Sequence, residues 1–347
     1  GVESDPFKPI FHIMPAAGAC GDPNGPIYAK GKYHMFFQHA PELIYGKPVG
    51  EWEEYEGSYS HTGWGHVSSK DLAYWEREPI AIMPEEGSYD PNLCASGSTV
   101  IAGDGTAMVF YTAAEPQRQC IARSVDPNLR WWRKDPKNPI ISEPPVPDFR
   151  RGGFRDPYLW REGDTWNMIV GGGIQKKGGT ALHFRANNLT DWTYIKPFAV
   201  GMGEHCLAWE CPSFLPFQNG KAVLFVSPLF DNLQDTNHAP RSSVVYTIAP
   251  YQGNGEFQPG VWKSIDIGGP NNFYATQAQK TPDGRWLLWG MNLGGGSPGH
   301  DWTTHLSLPR VLTLRSDGLL GQEPPAELQK LRRAHWGETD KALKGEH

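Results

Sequence analysis

The segment GPIYAKGKYHMFFQH, residues 25–39, carries the clearest local signal of structure in the chain. Two short apolar runs, rich in aromatic residues, flank a turn at Lys30-Gly31. Glycine tolerates the positive φ of a tight turn, so this arrangement is typical of a β-hairpin. The segment therefore predicts two adjacent antiparallel strands.

The same arrangement occurs four more times along the chain. Pairs of apolar runs flank turns at Gly105, Gly163, Gly220 and Gly284, at intervals of 57 to 74 residues. Units of this length that open with two adjacent strands fit four-stranded blades arranged around an axis. The chain is therefore predicted to be an all-β, five-bladed β-propeller with an axial funnel. A β-sandwich or a two-domain β protein is the structural alternative.

Composition favours a folded core and excludes several classes of partner. The 347 residues include 40 glycines, 31 prolines and 14 tryptophans, and 20% of the residues are charged. A net charge of -6 without a basic stripe argues against nucleic-acid binding, and no apolar run approaches the length of a membrane span. The oligomeric state and the compartment stay open, with a secreted or periplasmic location favoured over the cytoplasm.

Neither a metal nor a cofactor is predicted. The histidines show no HxH or HExxH spacing, and the five cysteines match no zinc signature. Buried free thiols are expected at all five cysteines, with a Cys206–Cys211 pair as the alternative.

One polar residue lies at the start of the first strand in each predicted blade. These residues lie seven to ten positions before the turn glycines: Asp22, Ser96, Asp156, Glu210 and Tyr274. The first strand of a blade is normally the innermost, so its start lies at one mouth of the central channel. Three carboxylic acids would then share one funnel. Crowded acids raise one another's pKa, so their convergence indicates a chemical use.

Paired carboxyl groups suggest glycoside cleavage with retention of configuration. One carboxylate attacks the anomeric carbon while the other acid protonates the leaving oxygen. Asp22, flanked by glycines with bare backbone amides, fits an ionised nucleophile, and Glu210, in an apolar run, fits the proton donor. Arg155 beside Asp156 suits a grip on vicinal sugar hydroxyls.

A series of short motifs supports this chemistry. Eight of them follow one another between residue 11 and about residue 333: DPNG (22–25), YHMFFQH (33–39), WGHVSSKDLAYW (64–75), ASGS (95–98), FRDP (154–157), ECP (210–212), FYATQ (273–277) and LSLPRVLTL (306–314). In this order they resemble glycoside hydrolase family 32, which contains invertases, inulinases, levanases and fructosyltransferases.

The resemblance implies a β-D-fructofuranosyl substrate, such as sucrose, a fructo-oligosaccharide or a fructan. It implies Asp22 as nucleophile, Glu210 as acid/base, and Asp156 with Arg155 as the group that stabilises the transition state. It also implies further residues that line the fructose subsite: Asn24, Gln38, Ser96, Cys211 and Tyr274.

Departures from the family pattern concern the leaving-group side. Gly21 stands where the family usually has Asn, and the segment between residues 41 and 64 is longer than in most members. Trp52 or Trp64 is expected to supply the aromatic wall there. A fructosyltransferase with the same covalent intermediate is therefore an alternative function, and a non-catalytic sugar-binding propeller is the alternative from another class.

The expected domain organisation is a catalytic propeller over residues 1–322 and a short helical, charged tail over residues 323–347. Members of the family normally carry a C-terminal β-sandwich after the propeller. The sequence is expected to lack most or all of it.

Overall fold

The computed structural model describes residues 5–41, 61–150, 152–217, 219–231, 243–253, 255–266, 272–292, 302 and 304–334. Over these residues the chain is almost entirely β-structure and forms five antiparallel sheets.

Each sheet is one blade, built from one continuous part of the chain. Blade 1 contains β1 (Ala19–Ala29), β2 (Lys32–Ala40), β3 (Gly63–Ser69) and β4 (Glu76–Arg77). Blade 2 contains β5 (Leu93–Ile101), β6 (Ala107–Ala114), β7 (Arg118–Ser124) and β8 (Trp132–Lys134). Blade 3 contains β9 (Arg155–Glu162), β10 (Thr165–Ile174), β11 (Gly178–Ala186) and β12 (Thr193–Met202).

The last two blades follow the same plan. Blade 4 contains β13 (Cys206–Pro216), β14 (Lys221–Phe230), β15 (Val245–Pro250) and β16 (Lys263–Ser264). Blade 5 contains β17 (Tyr274–Lys280), β18 (Trp286–Asn292), β19 (His305–Leu306), β20 (Arg310–Leu314) and β21 (Leu320–Glu323), with β19 paired to β18 alone. The predicted five-bladed β-propeller is confirmed.

The five predicted hairpins are the first two strands of the five blades. In blade 1, for example, Ala29 pairs with Lys32 across the Lys30-Gly31 turn, where Gly31 has φ 81°. The first strands contact one another in the cyclic order β1, β5, β9, β13, β17 and back to β1, so they surround the axis. The starts of these strands therefore meet around one channel.

Apolar clusters lie between neighbouring blades and close the ring. Trp160 and Phe198 of blade 3, for instance, pack against Phe214 of blade 4 in one cluster. Equivalent clusters join blades 1 and 2, 2 and 3, 4 and 5, and 5 and 1. Between blades 5 and 1, the Leu306 amide also donates to the Ile13 carbonyl at 2.9 Å. Burial of apolar surface at these five interfaces is the main force that holds the blades together.

Every first strand contains a register irregularity of the β-bulge type near its start. The irregular steps lie between Cys20 and Pro23, Ala95 and Gly97, Arg155 and Tyr158, Glu210 and Ser213, and Tyr274 and Gln277. A bulge bends its strand and turns a side chain out of the regular alternation. In each blade, therefore, a bulge directs side chains of the first strand into the channel.

The C-terminal segment packs on the propeller. A 3₁₀ helix spans Ala326–Leu331, within the segment where a short helix is expected. Its Glu327 forms an ion pair with Arg285 of blade 5 at 2.7 Å, and Lys330 forms one with Asp71 near blade 1 at 2.9 Å. Strand β21 ends at Glu323, one residue beyond the expected propeller boundary.

All five cysteines are free and buried, as expected. Among the residues that the structure describes, no helix is long and apolar enough to cross a membrane.

Candidate active site

Asp22 lies in the first bulge of β1 and is held by a two-step relay from blades 1 and 2. The Ser96 hydroxyl donates to Asp22 Oδ2 at 2.6 Å, and the Gln38 amide Nε2 donates to Ser96 Oγ at 2.9 Å. A short hydrogen bond to a carboxylate favours its charged form. The relay therefore fixes the position of Asp22 and supports its ionisation.

Asp156 is held from both neighbouring blades. Its backbone has φ 64°, in the left-handed region that few residues other than glycine adopt, and the residue is 3% exposed. The amide of Cys211 donates to Asp156 Oδ2 at 2.8 Å, while the amide of Asp156 donates to Thr112 Oγ1 at 3.0 Å. The carboxyl group is thus directed into the channel by contacts with blades 2 and 4.

Cys211 connects two of the acids. Its Sγ lies 3.7 Å from Asp22 Oδ2 and 3.6 Å from Asp156 Oδ2, within reach of a weak S–H donor. Burial, followed by the charges of Asp156 and Asp22, raises the pKa of the Cys211 thiol well above its usual value. The thiol stays protonated and bridges the two carboxyl groups.

Glu210 immediately precedes Cys211 and is bound on both of its oxygens. Arg155 donates to Glu210 Oε1 from Nε at 3.0 Å and from Nη2 at 2.8 Å, and the Tyr274 hydroxyl donates to Oε2. Arg155 was expected to reach toward sugar hydroxyls beside Asp156. In the structure its guanidinium forms an ion pair with Glu210, and the contact with sugar hydroxyls stays a prediction.

Burial and repulsion between neighbouring charges weaken the acidity of Asp22 and Asp156. Desolvation, together with the charges of Asp156 and Glu210, raises the pKa of Asp22 to about 7. Desolvation raises the pKa of Asp156 to about 6, although Arg155 opposes the shift. Asp22 was expected to sit among bare backbone amides that keep it ionised. Its partners are a hydroxyl and a thiol, so its charge is less favoured than expected.

Asn24 lies two residues beyond Asp22 and is fully buried. Its Oδ1 accepts the amide of Gly97 at 3.2 Å, which joins β1 to β5 next to Ser96. Its Nδ2 has no hydrogen-bond partner within the described residues. A buried amide with a free donor is suited to bind a ligand hydroxyl.

The aromatic wall expected from Trp64 is not present. Trp64 is fully buried, donates its indole N–H to the Ala95 carbonyl at 3.0 Å, and belongs to the cluster between blades 1 and 2. That expectation was wrong because Trp64 packs in the apolar cluster between blades 1 and 2, in a strand whose seven residues are all buried. The other candidate, Trp52, lies outside the described residues.

The structure therefore brings nine of the ten expected site residues to one mouth of the channel, and Trp64 is the exception. Thr112, which contacts the Asp156 amide, was not anticipated. It lies in the second strand of its blade, where no motif marks it, and only its burial in the folded chain reveals the contact. No cluster of His, Cys, Asp and Glu suited to a metal ion occurs in the described part of the chain.

Carboxyl groups that converge with an arginine and a buried amide at the mouth of a propeller form the kind of site found in glycoside hydrolases. Comparison with known proteins agrees with this class. The family model described as "Glycosyl hydrolases family 32 N-terminal domain" matches residues 12–324. The chain belongs to glycosyl hydrolase family 32.

Individual relatives place the chain within this family. The sucrose-6-phosphate hydrolase of Bacillus subtilis (strain 168) is 32% identical over 95% of this chain and 67% of the relative. The raffinose invertase of Escherichia coli is 31% identical over 94% of this chain and 66% of the relative. The chain thus spans about two thirds of the length of these relatives.

A solved structure agrees at the level of the fold. The crystal structure of fructan 1-exohydrolase IIa from Cichorium intybus superposes with a TM-score of 0.76 and 26% identity, over 93% of this chain and 62% of that one.

Proposed function

We propose that the protein hydrolyses terminal β-D-fructofuranosyl residues of sucrose or fructans with retention of configuration. Asp22 attacks the anomeric carbon and forms a covalent fructosyl-enzyme, and Glu210 protonates the leaving oxygen. Glu210 then deprotonates the water that releases fructose. Asp156 stabilises the positive charge that develops on the sugar ring in the transition state.

The convergence of three carboxyl groups from blades 1, 3 and 4 around the Cys211 side chain carries this proposal. Asp22 and Asp156 both lie within 3.7 Å of Cys211 Sγ, and Glu210 is the adjoining residue. Retaining glycoside hydrolases hold the nucleophile and the acid about 5–5.5 Å apart, so both carboxyl groups must reach the same part of the channel.

The remaining polar groups are proposed to bind the fructosyl hydroxyls. Asn24 offers a buried Nδ2 with no partner within the described residues, and Gln38 and Ser96 border Asp22. Arg155 is proposed to exchange part of its contact with Glu210 for sugar hydroxyls.

The names of the relatives narrow the choice of substrate. They include a sucrose-6-phosphate hydrolase, a raffinose invertase and a fructan exohydrolase, and a variant of the last is solved in complex with 1-kestose. All four sugars in these names carry a terminal fructofuranosyl group, so that group is the proposed recognition element.

The test is incubation with sucrose, sucrose 6-phosphate and 1-kestose, with separate assays for glucose and fructose. Hydrolysis of sucrose predicts equal release of both sugars, and early NMR spectra should show β-fructofuranose before mutarotation. Asp22→Ala should lower kcat by several orders of magnitude. Near-normal turnover in that variant would refute the assignment.

Transfer to a sugar acceptor is the second candidate, because Gly21 departs from the Asn that is usual before the nucleophile in this family. A side chain at this position would approach Gln38 Cβ to 2.9 Å, so glycine lets Gln38 lie directly against the nucleophile segment. An excess of free glucose over fructose would identify transfer. Absence of release from every substrate would leave a sugar-binding propeller.

A further inference from the structure

Thr112 and Gln119 form a buried pair on the face of blade 2 that meets blade 3. They are directly opposed on β6 and β7, and both are 0% exposed. The Thr112 hydroxyl donates to Gln119 Oε1 at 2.9 Å. Because that hydroxyl proton is committed to Gln119, Thr112 Oγ1 is oriented to accept a hydrogen bond on its other side.

Both side chains bind the backbone that carries Asp156. Gln119 Nε2 donates to the Phe154 carbonyl at 2.9 Å, and Thr112 Oγ1 accepts the Asp156 amide at 3.0 Å. The backbone of Gln119 is itself fixed, since its amide donates to the Ile141 carbonyl at 2.9 Å. Two hydrogen bonds from this buried pair therefore hold the backbone on either side of Arg155.

The bulge of β9 explains why these two hydrogen bonds are needed. Between Arg155 and Tyr158 the strand leaves its regular pairing with β10, and Pro157 has no amide proton to offer. The Asp156 amide is therefore outside the ladder, in a left-handed conformation that is strained unless neighbouring groups support it. A buried amide without a hydrogen-bond acceptor would further lower the stability of the fold.

We propose that Thr112 and Gln119 are positioning residues for Asp156, and that they act on the reaction only through its carboxyl group. They hold the backbone of Asp156 while the Cys211 amide holds its side chain. This inference rests on the proposed role of Asp156 in stabilising the transition state. Within the described residues, the side-chain hydrogen bonds of Thr112 and Gln119 go to each other and to the backbone of Phe154 and Asp156, and none reaches a carboxyl group.

The test compares Thr112→Val, which keeps the shape and removes the acceptor, with Thr112→Ser, which keeps the hydroxyl. Thr112→Val should lower kcat/KM on sucrose about 10- to 100-fold, the cost of a small misplacement of a catalytic group. Thr112→Ser should recover most of that loss. Thr247→Val is the matched control, since Thr247 is also fully buried but its hydroxyl has no partner in the described residues.

A double-mutant cycle separates positioning from a merely structural effect. Thr112→Val added to Asp156→Ala should leave the residual rate unchanged, because the group that it positions is already absent. An equal loss in both backgrounds, or wild-type activity in Thr112→Val, would overturn the inference. If Thr112→Val does not fold, Gln119→Met replaces it in the same cycle with the same expected outcomes.

The failure of this inference is distinguishable from failure of the proposed function. If Asp156→Ala retains activity, the proposed role of Asp156 is wrong and the positioning role falls with it. If Asp156→Ala is impaired while Thr112→Val and Gln119→Met are not, only the positioning role is wrong.

Discussion

Two opposing effects set the pKa of the Asp22 carboxyl group. Burial near Asp156 and Glu210 raises its pKa to about 7, whereas the hydrogen bond from Ser96 lowers it. The proposed attack on the sugar requires the ionised form. Activity should therefore rise with pH as Asp22 loses its proton, and burial and the neighbouring charges place this rise at a higher pH than an exposed carboxyl group would give.

Ser96→Ala should move this acidic limb to higher pH. The substitution removes the 2.6 Å hydrogen bond that favours the carboxylate, so the pKa of Asp22 rises further. The measurement is the pH dependence of kcat/KM on sucrose. At a pH well above the shifted midpoint, the variant should lose less activity than at acid pH, and the remaining loss should be that of the sugar contact proposed for Ser96.

Ser98→Ala is the matched control, since Ser98 is buried two residues further along β5 and its hydroxyl has no partner within the described residues. Its profile should coincide with that of the wild type. An unshifted acidic limb in Ser96→Ala would show that the hydroxyl does not support the charge on Asp22.

The bulges at the starts of the first strands are the elements that create the site. Asp22, Ser96, Asp156 and Cys211 all lie within an irregular step, and Asp156 and Cys211 have positive φ values of 64° and 45°. In a regular strand, neighbouring residues would point to opposite faces of the sheet. The bulges allow adjacent residues such as Glu210 and Cys211 to contribute to the same site.

Gly97→Ala tests the bulge of blade 2. A Cβ at this position would lie 1.9 Å from the Phe110 carbonyl oxygen, so the two strands must separate next to Ser96. We expect a stability loss of roughly 1–3 kcal/mol and a matching fall in kcat/KM, measured by thermal unfolding and sucrose turnover.

Gly103→Ala provides the comparison within the same blade, because a Cβ there meets no atom within 4 Å. Its unfolding temperature and activity should remain near those of the wild type. A Gly97→Ala protein with unchanged stability and activity would contradict the close strand approach at the bulge.

The hairpins were predictable from sequence, whereas the bulges were not. Turn glycines such as Gly31 mark a hairpin by local chemistry, because the required φ is a property of the turn itself. A bulge is a property of the register between two strands, and the sequence of one strand does not determine it. The same limit explains why the contact between Thr112 and Asp156 was not predicted.

At the scale of the whole molecule, the site depends on closure of the ring. Blades 1 and 5 are distant in sequence, yet their interface contains Leu306 and positions the strand that carries Asp22. The Thr304 hydroxyl donates to the Cys20 carbonyl, two residues before Asp22. Loss of packing at this interface should therefore disturb the nucleophile as well as the fold.

Leu306→Ala tests this dependence. Leu306 is fully buried, and truncation of such a side chain typically costs about 2–5 kcal/mol. We expect a lower unfolding temperature and an earlier loss of activity on heating. Leu319→Ala, at a position that is 39% exposed, should leave both properties nearly unchanged. Equal stability of the two variants would contradict the role of this interface in ring closure.

The covalent fructosyl-enzyme is the species on which the whole account depends. The most direct measurement is peptide mass spectrometry after acid quench of Glu210→Gln reacted with an activated fructosyl donor, since loss of the acid/base should slow release of the intermediate. We expect one fructosyl unit attached to Asp22. A label on Asp156, or rapid turnover without any labelled peptide, would contradict it.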